Sequence, residues 1–201
     1  MIPAGVSSTG TTYVPTSRRV DPGGSDFYPV NIPPGQARWL IMDAKPDPRQ
    51  LDATAYHEAG HAVVALALGR VVHRVSILPN RDTLGQCEFR KGTRKKSHDE
   101  LETEILIALA GMAAEAKHTG TYDRAAAGRD LRHVRALLLQ RGTERSKERH
   151  ESRMLSKVES LLADDANWAA VTIIAAELLK LGVISGRAAI HFYESAIAAG
   201  E

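Results

Sequence analysis

The sequence predicts a mainly α-helical domain of the α+β class, with one small β-hairpin beside its first helix. Three observations carry this. Apolar residues recur at helical spacing through most of residues 50–201. Only residues 71–89 alternate and favour β-branched side chains, in two short runs separated by turn residues. Residues 1–49 hold most of the prolines and many Gly, Ser and Thr, with no period, so they read as an N-terminal arm or tail rather than part of the core.

Within the arm, Tyr28, Trp39, Leu40 and Ile41 are candidate anchors. Segment 27–45 either docks on the domain or stays apart from it. The first helix is centred on Thr54-Ala55-Tyr56-His57-Glu58-Ala59-Gly60-His61-Ala62-Val63-Val64-Ala65. Asp52 or Thr54 would cap its start, and Gly69 suits the position after its last residue, Leu68. Ala62, Val63, Ala65, Leu66 and Leu68 make it a buried helix. Gly60 costs about 1 kcal/mol relative to Ala in a helix interior, which close approach of another element would offset.

Residues 71–78 read as a strand, Pro79-Asn80-Arg81-Asp82 as a turn, and Leu84 to Phe89 as the returning strand. The hairpin either offers an edge to an extended peptide or simply covers the core. Arg90-Lys91-Gly92-Thr93-Arg94-Lys95-Lys96 is a basic loop. Ser97 and Glu100 form a capping box for a second long helix reaching about His118. Its Glu115 lies among apolar residues and needs a partner if buried. A loop covers 119–123, and a third helix starts at Gly128-Arg129-Asp130-Leu131 and ends at Arg141-Gly142. Segments 143–163 and 164–181 are two helices or one bent helix. Gly182 stops that run, and Ser185 caps a last helix ending near Ala198.

Composition excludes several function classes. With 43% hydrophobic and 25% charged residues the chain is an ordinary globular protein, and a net charge of +2 is too small to argue for nucleic acid. The basic loop lacks the interleaved aromatics of a single-strand binding surface. No apolar run approaches the roughly 20 residues of a membrane span, and no apolar signal core opens the chain. The single cysteine, Cys87, rules out an internal disulfide framework and reads as a small packed residue. These features predict a cytoplasmic protein.

The chemistry is concentrated in His57-Glu58-x-x-His61. On a helix, residues four apart share a face, so both imidazoles reach one zinc ion at roughly 2.0–2.1 Å. Glu58 lies about 100° around from His57, flanking the pair, where a carboxylate can serve a water molecule at the ion. A catalytic zinc takes three protein ligands. The candidates for the third are Asp130, Asp123, Glu115, His118 and His133, and spacing alone leaves the choice open.

Tyr56-His57-Glu58-Ala59-Gly60-His61-Ala62-Val63 resembles the zinc helix of the peptidase domain of the FtsH-type ATP-dependent membrane proteases. The resemblance continues in order through Val75-Ser76-Ile77-Leu78-Pro79 with Leu84-Gly85, Leu109 to Glu115, Gly128-Arg129-Asp130-Leu131, and Leu178 to Gly186. It implies a helical zincin-like fold, Zn2+ held by His57, His61 and Asp130, and Glu58 as general base. His133, one turn after Asp130, is a candidate for a supporting role. The chain departs from the pattern before the aspartate, where Ala126-Ala127-Gly128 and Arg129 replace Thr-Gly-Ala and a small or amide residue. It also has no Gly-x-x-x-x-Gly-Lys-Ser/Thr nucleotide-binding loop. The function expected is zinc-dependent hydrolysis of peptide bonds in unfolded or extended polypeptide lying along strand 71–78. A separate unfoldase or ATPase and an oligomer are both compatible with the resemblance. The alternatives are a binding or adaptor module with a structural zinc, or a helical interaction protein without metal.

Overall fold

The computed structural model describes residues 47–79, 84–89, 98–141 and 147–200, which belong to one unit spanning 34–201. The expected arm up to residue 46 with its anchors, the turn at 80–82, the basic loop at 90–96, the Ser97 cap and the Gly142 stop lie outside the described residues. Six helices and three strands follow in the order α1 (Pro48–Ala67), β1 (Val72–Ser76), β2 (Gln86–Phe89), α2 (His98–Thr119), α3 (Gly128–Arg141), α4 (Lys147–Ala163), α5 (Asp165–Leu181), β3 (Val183–Ser185) and α6 (Gly186–Gly200). The domain is mainly helical, with one small antiparallel sheet. No described helix is long and apolar enough to cross a membrane.

α1 starts earlier than the sequence reading placed it. Asp47, not Asp52 or Thr54, is its cap: the carboxylate accepts a hydrogen bond from the Arg49 N–H at 3.0 Å, and Pro48 fills the first turn, where its missing N–H costs nothing. Asp52 instead pairs with His118 Nε2 at 2.5 Å, and the Thr54 hydroxyl donates to the Gln50 carbonyl at 2.7 Å. The far end is as expected. Gly69 takes φ +71°, its N–H donates to Leu66 O and that of Arg70 donates to Ala65 O, which satisfies two terminal carbonyls.

The core is built around α1, which packs on α2 and α5, while α2 packs on α3 and α4. Val63, Val64, Ile105, Leu109, Met112, Ile174 and Leu178 are buried in it. Gly60 is where α1 and α2 come closest. A Cβ there would lie 2.5 Å from Ala114 Cβ and 2.6 Å from the Ala110 carbonyl oxygen. This is the close approach that offsets the helix cost of glycine.

Segments 147–163 and 165–181 are two helices rather than one bent helix. Asp164 breaks the run, and its carboxylate caps α5 by accepting from the Asn167 N–H at 2.9 Å. Gly182, at φ +73°, stops α5 as expected. The Ser185 hydroxyl accepts from the Ala188 N–H at 3.2 Å and caps α6.

The sheet differs from the expected hairpin. β1 pairs antiparallel with β2, placing Arg74, Val75 and Ser76 opposite Glu88, Cys87 and Gln86. β3 pairs with the other edge of β1 through the same three residues, opposite Ser185, Ile184 and Val183. Three residues between a glycine stop and a helix cap are too short to show a period, so β3 is invisible to pattern reading. Its presence overturns the expected peptide path along 71–78, because both edges of β1 are already paired. Among the described residues, β2 and β3 are the two edge strands of the sheet, and β2 is the one that packs against the first helix.

Gly60→Ala is expected to lower stability by about 1–3 kcal/mol, the usual cost of overpacking, although Ala is the better helix former. Chemical denaturation checks it, and an unchanged or raised midpoint would mean that the two helices separate freely.

Candidate metal centre

α1 presents His57, Glu58 and His61 toward α2 and the start of α3. His57 Nε2 lies 3.1 Å from Asp130 Oδ2, and His61 Nε2 lies 3.5 Å from the same oxygen. One ligand atom from each of the three residues falls within 4.8 Å of the others. A single divalent cation bridging these atoms fits the spacing and the donor chemistry, two imidazoles and a carboxylate. Asp130 comes from the first turn of α3, 69 residues after His61, so the fold alone brings it here.

The outer nitrogens are also held. His57 Nδ1–H donates to Glu115 Oε2 at 2.8 Å, and His61 Nδ1–H donates to the Ile107 carbonyl at 2.7 Å. With Nδ1 of each ring committed outward, both Nε2 atoms face Asp130; His57 Nε2–H donates to Asp130 Oδ2 there, and the same two Nε2 positions would hold a metal once that proton leaves. Glu115 is 8% exposed, so His57 supplies the partner that a buried carboxylate needs. It stands behind His57, not among the convergent atoms.

The other candidates for a third ligand are engaged elsewhere. His118 stacks on Tyr56 with ring centroids 3.5 Å apart and pairs with Asp52. Asp123 accepts from the N–H groups of Ala125 and Ala126 at 2.9 Å, shaping the turn before α3. His133 is exposed on α3.

Two glycines shape the pocket. A Cβ on Gly111 of α2 would lie 2.5 Å from Nε2 of both His57 and His61, in the space where a cation would sit. A Cβ on Gly85, just before β2, would lie 2.6 Å from Glu58 Oε1. Gly111 lies within the Leu109-to-Glu115 stretch of the resemblance, but only the fold shows that the space it leaves belongs to the histidines. The sequence reading did not single out Gly85 for the pocket, nor the Ile107 carbonyl, which as a backbone atom carries no residue-type signal.

Charge in the pocket is tightly coupled. Burial works to lower the His57 imidazole, but hydrogen bonds to Asp130 and Glu115 outweigh it and hold the group up at about 10. Burial works to raise Asp130, yet its hydrogen bonds to His57 and His61 take it far below the usual carboxylate range. Glu58, 6% exposed, is raised by burial against the opposing pull of His61 and His57; the Arg129 charge also favours its ionised form. Burial, with Glu58 and Glu88 nearby, pushes the Cys87 thiol up, which suits a packed residue rather than a nucleophile.

Residues 45–144 match the model of Peptidase family M41. The chain is 36% identical over 84 residues to the ATP-dependent zinc metalloprotease FtsH 1 of Rhodopirellula baltica, a match covering 38% of this chain and 12% of that protein. It is 44% identical over 71 residues to the ATP-dependent zinc metalloprotease FtsH of Thermus thermophilus, covering 34% and 11%. It is 37% identical over 90 residues to the protein of the same name from Haemophilus influenzae, covering 43% and 13%. The chain thus spans only about an eighth of the length of these relatives.

A cation at this centre needs the His57 lone pair, and metal-free His57 is protonated below about pH 10. Binding at pH 7–8 is therefore expected to expel about one proton, and apparent affinity should rise about tenfold per pH unit toward that value. Zinc titration calorimetry in buffers of different ionisation enthalpy counts the proton. A count near zero would contradict the ion-paired pocket.

Proposed function

Taking residues 45–144 as a peptidase domain of the M41, FtsH-type family, we propose that the protein is a zinc metallopeptidase that hydrolyses peptide bonds in unfolded or extended polypeptide. His57, His61 and Asp130 hold the Zn2+, and Glu58 is the general base. The observation that carries this reading is the convergence of three ligand atoms within 4.8 Å beside a buried carboxylate. Zinc bound there lowers the pKa of water from 15.7 toward about 7 and polarises the scissile carbonyl.

The chain's own residues do the remaining work. Glu58 takes the proton from the attacking water and passes it to the departing amine. Its burial raises its proton affinity, which suits a group that must both accept and return a proton near neutral pH. Glu115 and the Ile107 carbonyl hold the two imidazoles in the metal-facing orientation. Gly85 lets the backbone entering β2 pass directly over Glu58. A substrate in extended form adds as a further strand to the outer edge of β2, with its scissile carbonyl delivered to the pocket.

This geometry asks for loose chain. A folded substrate cannot present an extended segment to a sheet edge, so an ATP-driven unfolding step is what fits upstream of this domain, in keeping with the ATP dependence in the names of the relatives. A structural zinc in a binding module is the weaker reading, because closing a structural site requires no buried carboxylate at the position of Glu58.

Glu58→Gln is the deciding variant. It should retain about one zinc per chain and lose about 10²–10⁴-fold in cleavage of an unfolded protein. Elemental analysis and a casein digestion read the two quantities. Equal digestion by the variant and the wild type would remove Glu58 from the mechanism.

A further inference from the structure

α1 and α2 run antiparallel and meet contact by contact. His61 donates to the Ile107 carbonyl, Gly60 sits against Ala110 and Ala114, and His57 donates to Glu115. The next contact outward belongs to His118, which the proposed chemistry does not use. Its ring lies on that of Tyr56 with centroids 3.5 Å apart and planes 7° from parallel, and its Nε2 lies 2.5 Å from Asp52 Oδ2. Asp52 and Tyr56 are four residues apart on α1, so one imidazole meets two side chains of a single helix face. Tyr56 immediately precedes His57, and Glu115 lies three residues before His118 on α2.

A second aromatic holds Tyr56. The Trp168 ring of α5 lies 5.9 Å away, centroid to centroid, tilted by 34°. Lys117, beside His118, places Nζ 4.3 Å from the Trp168 ring centre and donates to the Leu162 carbonyl at 2.5 Å. These contacts close a ring through α2, α1 and α5 around Tyr56. The two contacts of His118 differ in weight. Its ion pair with Asp52 joins side chains 30% and 41% exposed, where solvent screens the charges. The stack belongs to Tyr56 and Trp168, both packed against the core, and it fixes ring separation and tilt together. The stack, not the ion pair, therefore carries the constraint.

We propose that His118 is a positioning residue for the metal centre: stacked on Tyr56, it fixes the rotation of α1 against α2, so that His57 keeps Nδ1 on Glu115 and Nε2 toward the ion. Tyr56 and His57 are neighbours on one rigid helix, so a turn of α1 about its axis moves both. A ligand constellation tolerates about 0.5 Å and 10–20° of such movement before it weakens. The inference rests on the reading of His57, His61 and Asp130 as zinc ligands, but the hold on His57 exists without the ion.

The experiment uses the full chain and Zn2+ alone, at a temperature where circular dichroism shows the variants folded. In the metal-free wild type, NMR of isotope-labelled histidines should show the His57 Nδ1 proton exchanging slowly with water; in His118→Ala it should exchange fast. Zinc affinity, read by competition with a chelator, should fall about tenfold in His118→Ala, the low end for groups that orient a ligand from behind. His118→Phe keeps the stack and loses only the exposed ion pair, so it should stay within about threefold of the wild type. Tyr56→Leu keeps apolar bulk without the stack; it should match His118→Ala, and it decides alone if that variant does not fold. A merely structural contact would lower the melting temperature and leave the His57 proton and the folded-state affinity unchanged. That result, or a loss in His118→Phe equal to that in His118→Ala, overturns the proposal. A wild type that binds no zinc overturns the ligand reading instead, and the His57 proton still decides the positioning.

Discussion

The close contact between α1 and α2 is the constraint on which everything else depends. Gly60 lets the backbones approach until the Ala110 carbonyl and the Ala114 methyl sit against α1. At that separation Glu115 and the Ile107 carbonyl reach the outer nitrogens of His57 and His61. Gly111 then leaves space between the inner nitrogens, where a side chain would intrude. A few tenths of an ångström more between the helices would loosen both imidazoles together. Two glycines, each unfavourable in a helix by about 1 kcal/mol, are thus kept for geometry rather than for helix stability.

The acidic and imidazole groups of the pocket hold one another in place. Asp130 faces two imidazoles, and His57 is hydrogen-bonded to Asp130 on one side and to Glu115 on the other. Glu58 stands apart from these pairs, raised by burial and approached by the backbone at Gly85. Two carboxylates in one pocket thus have separate environments, Asp130 held ionised by the imidazoles and Glu58 raised by burial, which is the contrast the proposed ligand and base roles call for.

Much of this was legible in the sequence, and the failures have physical causes. His57, Glu58 and His61 lie within one helical turn and a half, so local periodicity was enough to predict their common face. Asp130 lies far along the chain, and spacing left it level with Glu115; only the resemblance preferred it, and the fold then brought its carboxylate to both inner nitrogens while Glu115 went to the back of His57. The helix stops at Gly69 and Gly182 were readable because left-handed backbone demands glycine. The α1 cap was misplaced because three plausible cap residues precede the motif, and Asp47 wins by standing before Pro48. β3 was missed because three residues show no pattern, and with it went the expected peptide path along β1.

The central claim is that one ion is held by His57, His61 and Asp130. A zinc-soaked crystal measured on both sides of the zinc absorption edge tests it most directly. The account predicts a single anomalous peak bonded to His57 Nε2, His61 Nε2 and Asp130 Oδ2 at about 2.0–2.2 Å. A peak held by Glu115 in place of Asp130, or no peak between the two imidazoles, would contradict it.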